Sequence, residues 1–91
     1  MGKLVRDGIP KLAKDKKFRK CDSKEKLELL AKKLCEEALE FLISREAEEL
    51  ADVVEVVDEL LKIYGKEKVL KIKEIKRENK GGFEECWVLE D

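Results

Sequence analysis

The stretch C35-EEALEFLISREAEELADVV-EVV57 (residues 35 to 57, CEEALEFLISREAEELADVVEVV) decides the fold of this chain. Two helix-forming segments meet there across a very short connection. Upstream, Leu27, Leu30, Leu34, Ala38 and Phe41 recur at helical spacing; downstream, Leu50, Val53, Val54, Val57, Leu60, Leu61 and Tyr64 repeat at three and four. So many valines would also suit a strand, but the spacing and the length of the segment favour a helix. Asp22 with Glu25 three positions on has capping-box spacing, which starts the first helix near Asp22 and carries it to about Leu42 or Ile43. Ser44 is the expected N-cap of the second helix, and Gly65 its stop. Helices joined by so few residues pack as antiparallel neighbours.

Outward from this hairpin, residues 66 to 79 predict a third helix with Val69, Ile72 and Ile75 as a narrow apolar stripe, ended by Gly81-Gly82. Residues 1 to 21 read as irregular, with a turn at Asp7-Gly8 and Ile9-Pro10, and with Leu4, Val5, Ile9 and Leu12 able to pin the segment to the helices. The tail FEECWVLE sets Phe83, Trp87 and Leu89 on one side if extended, an arm for packing on its own or a neighbouring subunit. The expected fold is all-α, one domain over residues 1–91: an antiparallel helical hairpin plus a third helix, with extended termini. Chains of 91 residues bury only about two-thirds of their unfolded surface, so a four-helix core completed by oligomerisation, as a dimer or tetramer, is expected.

Composition narrows the chemistry. Apolar residues at 43% exclude a wholly disordered chain, and charged residues at 47% fit exposed, ion-paired helices. A net charge of −1 gives no overall attraction to polymeric nucleic acid, although Lys and Arg cluster in residues 3 to 20 and 66 to 80. Three widely spaced cysteines without a CxxC pair suit a reducing cytosol. With no histidine, Ser/His/Asp and Cys/His catalysis and imidazole-dependent zinc sites are excluded, and carboxylates are the main metal ligands left. No apolar run approaches about 18 residues and no h-region follows the basic start, so neither a membrane span nor a signal peptide is expected.

The acids of the opening stretch are placed oddly for a solvated face. In an antiparallel hairpin Glu40 and Glu49 lie at equal distances from the connection, as do Glu37 and Asp52, giving two rungs about 4.5 Å apart along the helices. At 100° per residue Glu49 falls within the arc of Val53, Val56 and Leu60, and Asp52 at its edge; Glu37 lies beside Leu30, Leu34 and Phe41, with Glu40 further round. Glu48, Glu55 and Glu59 group on an opposite face, read as solvated. Four carboxylates against a core repel one another unless a cation joins them, and oxygen-only ligation favours magnesium, manganese or calcium. In a chain this rich in Glu, acids at i and i+3 also arise by chance, and acids in the first turn of a helix suit its dipole.

Glu36-Glu37-Ala38-Leu39-Glu40 followed by Glu49-Leu50-Ala51-Asp52 resembles the EExxE…ExxD signature of the all-α MazG-like nucleoside triphosphate pyrophosphohydrolases, the superfamily of phosphoribosyl-ATP pyrophosphohydrolase and dimeric dUTPase. KLVRDGIP at residues 3 to 10 and KGGFEE at residues 80 to 85 resemble the opening and closing segments of a short single-domain branch. The resemblance implies a cytoplasmic Mg2+-dependent hydrolase, with Mn2+ as an alternative ion, cleaving a nucleoside triphosphate between its α and β phosphates. Glu37, Glu40, Glu49 and Asp52 would hold the metal; Glu36 and Glu37 are the catalytic candidates, Glu36 in a supporting or water-orienting role. Lys3, Arg6, Lys76 and Lys80 would bind phosphate, with Lys73 and Arg77 as looser candidates. Nucleotide-pool cleansing is the role implied first; phosphoribosyl-ATP hydrolysis in histidine biosynthesis and a non-catalytic nucleotide-binding or dimerisation module are the alternatives. One departure stands out: only eight residues separate Glu40 from Glu49, where the family pattern has a longer insertion.

Overall fold

The computed structural model describes residues 2–90. Four helices follow in order: α1 (Ile9–Leu12), α2 (Ser23–Ser44), α3 (Ala47–Tyr64) and α4 (Lys66–Lys80), with no strand among the described residues. The chain is all-α, and α2 and α3 pack together as the expected hairpin.

Asp22 starts α2 as its spacing predicts, its side chain accepting from the Glu25 backbone N–H at 2.8 Å. The reciprocal half of the capping box is replaced, because the Glu25 carboxylate turns to the Arg19 guanidinium and accepts two hydrogen bonds, at 2.7 and 2.6 Å. At the other end the helix runs through Ser44 to Arg45, whose φ of 60° is left-handed and whose N–H closes the last turn on the Phe41 carbonyl at 2.8 Å. The Arg45 side chain also donates from Nε to the Leu42 carbonyl at 2.7 Å.

Ser44 is therefore not the N-cap of the second helix. That position belongs to Glu46, which makes no capping hydrogen bond with its side chain, while Ser44 Oγ accepts from the Glu46 N–H at 3.1 Å. The hydroxyl sits two residues before the cap because α2 takes up the serine that the second helix was expected to use. Only Arg45 and Glu46 lie between α2 and α3. Gly65, at a φ of 95° that a side chain would strain, serves both as the last cap of α3 and as the start of α4.

The N-terminal segment is less irregular than expected. Its turn is there, with the Ile9 N–H bonded to the Arg6 carbonyl at 3.0 Å, but it leads into the short helix α1, where Pro10 in the first turn costs no hydrogen bond. Leu4, Val5 and Ile9 are half-buried; Leu12 points into solvent and does not pin the segment.

Leu30 on α2 and Val56 on α3 are the buried apolar residues among those described, and both lie in the hairpin. α4 packs on α3, leaving Ile72 and Ile75 about half exposed, and the apolar side chains of the tail are not packed on their own chain: Phe83, Trp87 and Leu89 are almost wholly exposed. The radius of gyration is 16.6 Å, against about 13 Å for a compact 100-residue domain. No helix of the described residues is long and apolar enough to cross a membrane.

Candidate metal and phosphate site

Within the hairpin, one carboxylate oxygen from each of Glu37, Glu49 and Asp52 lies within 4.8 Å of the other two. Glu37 and Asp52 meet at equal distances from the connection, and Glu49 joins them from the next rung, whereas its rung partner Glu40 is not in the trio. Glu37 comes from α2, in line with Leu30 two turns earlier; Asp52 and Glu49, one turn apart on α3, stand on the face that carries Val56.

Glu37 is the unusual member. It is 6% exposed, one oxygen meets Lys33 Nζ at 3.2 Å, and Oε2 is buried without any hydrogen-bond partner. A buried carboxylate oxygen left unmatched is costly, and native structures seldom keep one without a reason. Asp52 accepts from Arg6 Nη2 at 2.6 Å. Glu49 is half-buried, and its carboxyl is pushed above the usual range, first by desolvation, then by the charge of Glu40 and a hydrogen-bonding contact with it, and further by Asp52 and Glu37.

Glu40 stands apart from this trio. It is exposed and joins the group through Glu49. Glu36 is likewise exposed.

Beside the acids, a cavity of about 630 Å³ opens between the N-terminal segment and the hairpin, and Lys3, Arg6, Lys26 and Lys33 bring cations to its walls. Lys3 and Arg6, expected to bind phosphate, thus line the same cavity as Glu37 and Asp52, and Arg6 touches Asp52. Lys76 and Lys80 are not: both are exposed on α4, and Lys80 borders a separate, shallow groove with Arg77, Gly82, Glu84 and Trp87. Arg77, a looser candidate, is bound to Glu84.

Two parts of the site escape a reading by motif. Lys33 precedes Glu37 by one helical turn, a spacing visible in the sequence but shared by many Lys–Glu pairs in this chain. Glu59 is not on a solvated face: it is half-buried, pairs with Lys26 Nζ at 3.1 Å and Lys62 Nζ at 2.7 Å, and lines the cavity together with Glu55. Asp52, Val56 and Glu59 are spaced by four and three, so the face that carries Asp52 toward α2 carries Glu59 as well.

The donor set fits a hard divalent cation. All three groups offer oxygen, the span of 4.8 Å is compatible with one ion reaching each at about 2.0–2.6 Å, and Glu37 Oε2 supplies an acceptor with nothing to accept from. Compared with known protein families, with curated proteins and with solved structures, the chain matches none.

Proposed function

We propose that this chain is a magnesium-dependent nucleoside triphosphate pyrophosphohydrolase, cleaving between the α and β phosphates to release a nucleoside monophosphate and pyrophosphate, in a nucleotide-cleansing role. The observation that carries the reading is the buried, unpartnered Glu37 Oε2 beside Glu49 and Asp52. The motif resemblance supplies the reaction. Glu37, Glu49 and Asp52 would hold the ion, with Glu40 adjoining through Glu49; manganese would substitute. Bound there, the ion would neutralise phosphate oxygens and acidify a water for attack.

The chain's own residues supply the remainder. Arg6 and Lys3 offer donors to the phosphates from the cavity wall, and Leu4, Val5 and Leu30 give it an apolar side that limits water. Glu36, exposed and not among the residues lining the cavity, is left at most a supporting role. Lys76 and Lys80 are set apart from this cavity, so a contribution from them would come across a contact with a second copy.

A screen of nucleoside triphosphates for pyrophosphate release with Mg2+ or Mn2+ tests the reading. Release that disappears with chelator is expected; no release from any common or damaged nucleotide sinks it. Substituting Glu37 or Asp52 by its amide should lower turnover by about 100-fold or more, the scale of several kcal/mol of transition-state stabilisation.

One observation favours a non-catalytic helical module instead. Arg6 and Lys33 already provide positive charge to Asp52 and Glu37. That reading predicts no stabilisation by divalent metal and tolerance of the same amide substitutions.

A further inference from the structure

We propose that Arg6 is the resident counter-ion of Asp52 and that a divalent cation displaces it, so that metal binding frees the Arg6 guanidinium from the hairpin. This rests on the metal reading given above, and the two can fail separately.

Among the described residues, the bond from Arg6 Nη2 to Asp52 Oδ1 at 2.6 Å is the one hydrogen bond joining residues 3–9 to α2 or α3. Otherwise the segment is held by the half-buried Leu4, Val5 and Ile9 along the cavity. Its polar attachment is therefore a single contact, which can be exchanged while the apolar residues keep the segment in place. The pair is open to water, the side chains being 57% and 37% exposed, and such pairs are individually weak. A dication competes with it easily.

Lys33 contrasts with Arg6. It belongs to the same helix as Glu37, one turn away, is 21% exposed, and leaves Glu37 Oε2 free. An ion can take that oxygen without expelling Lys33. At Asp52 an incoming ion and the guanidinium would compete for one small carboxylate, and like charges within about 5 Å repel even where water reaches them.

The freed guanidinium then stands beside the cavity, without its carboxylate partner, as a donor for an anion.

The test uses the full chain at low salt, with Mn2+ alone titrated calorimetrically into wild type, Arg6→Gln and Arg6→Lys, and Mg2+ added while the backbone amides of Val5, Asp7 and Gly8 are followed by NMR. Arg6→Gln should bind Mn2+ about three- to tenfold more tightly, the range for losing an exposed ion pair. Arg6→Lys should fall between. In wild type, Mg2+ should move the three amides toward their positions in metal-free Arg6→Gln; the rest of each spectrum reports whether the variant is folded. Equal or weaker Mn2+ binding by Arg6→Gln, with the wild-type amides unmoved by Mg2+, overturns the displacement and leaves the metal site standing. Absence of binding in all three proteins overturns the metal reading and the displacement with it.

Discussion

Glu49 is where the chain's electrostatics work against its own fold. Its carboxyl lies above the ordinary range, chiefly through desolvation and the neighbouring Glu40. A group whose pKa is higher folded than unfolded adds stability that is present below the unfolded value and lost as pH rises through the folded one. Metal-free protein should therefore be penalised at neutral pH by ionising Glu49. Glu49→Gln should raise the melting temperature in chelator at pH 7, give less benefit near pH 4 where the native side chain is already protonated, and abolish turnover. Melting curves at the two pH values check the first part, and a benefit that is absent or independent of pH contradicts it. Glu25 and Glu59 behave oppositely. Arg19 holds Glu25 low, and Lys62 with Lys26 holds Glu59 low, so what these pairs contribute is kept at neutral pH and lost as pH falls through their folded values. The inward placement of Glu49, Asp52 and Glu37 was legible in the helical wheel, because azimuth follows from spacing alone. The partners of Asp52 and Glu59 were not. Arg6 reaches Asp52 only once an irregular segment has folded across the hairpin, and no periodicity encodes that path.

At the scale of the element, the hairpin connection carries the register on which the site depends. Two residues join helices of 22 and 18 residues, and a shift in their pairing would separate Glu37 from Asp52. The turn is held by Arg45 in the left-handed region, a conformation that costs a non-glycine residue about 1–2 kcal/mol. Arg45 recovers part of this through its hydrogen bond to the Leu42 carbonyl. Arg45→Val, β-branched and unable to make that bond, should destabilise the fold by about 1–2 kcal/mol in chemical denaturation. Arg45→Gly should be close to neutral, since relief of the left-handed strain is offset by added chain entropy. Equal stability of the valine and glycine variants would mean that the turn is not under this constraint. Helix existence and length were legible from apolar spacing and from Asp22 and Gly65. The location of the second cap was not, since Ser44 offers a hydroxyl equally suited to ending one helix or beginning the next, and the backbone at Arg45 decides between them.

The whole molecule is extended, and that bears on how it holds together. Of the described apolar residues only Leu30 and Val56 are buried, although each large apolar side chain removed from water is worth about 1.5–3 kcal/mol. Leu42 and Ile43 at the hairpin tip, Ile72 and Ile75 on α4, and Phe83, Trp87 and Leu89 in the tail remain exposed on a single chain. Exposed apolar area on this scale marks an interaction surface, and self-association is the proposal that accounts for it. Stability would then depend on protein concentration by mass action. The melting temperature should rise with concentration across the micromolar range, and sedimentation equilibrium should resolve a dimer or larger species. Trp87 is the single tryptophan and 87% exposed, so its emission reports the tail without interference. Dilution should shift that emission to longer wavelength as the indole meets water, in step with the loss of the larger species. Replacing Phe83 and Trp87 together by Ser should weaken association about 10-fold or more, since even 1.4 kcal/mol of lost burial has that effect. A chain that sediments as a monomer throughout, with Trp87 solvent-exposed at every concentration, would exclude the tail as an association arm and leave the hairpin alone to stabilise the fold.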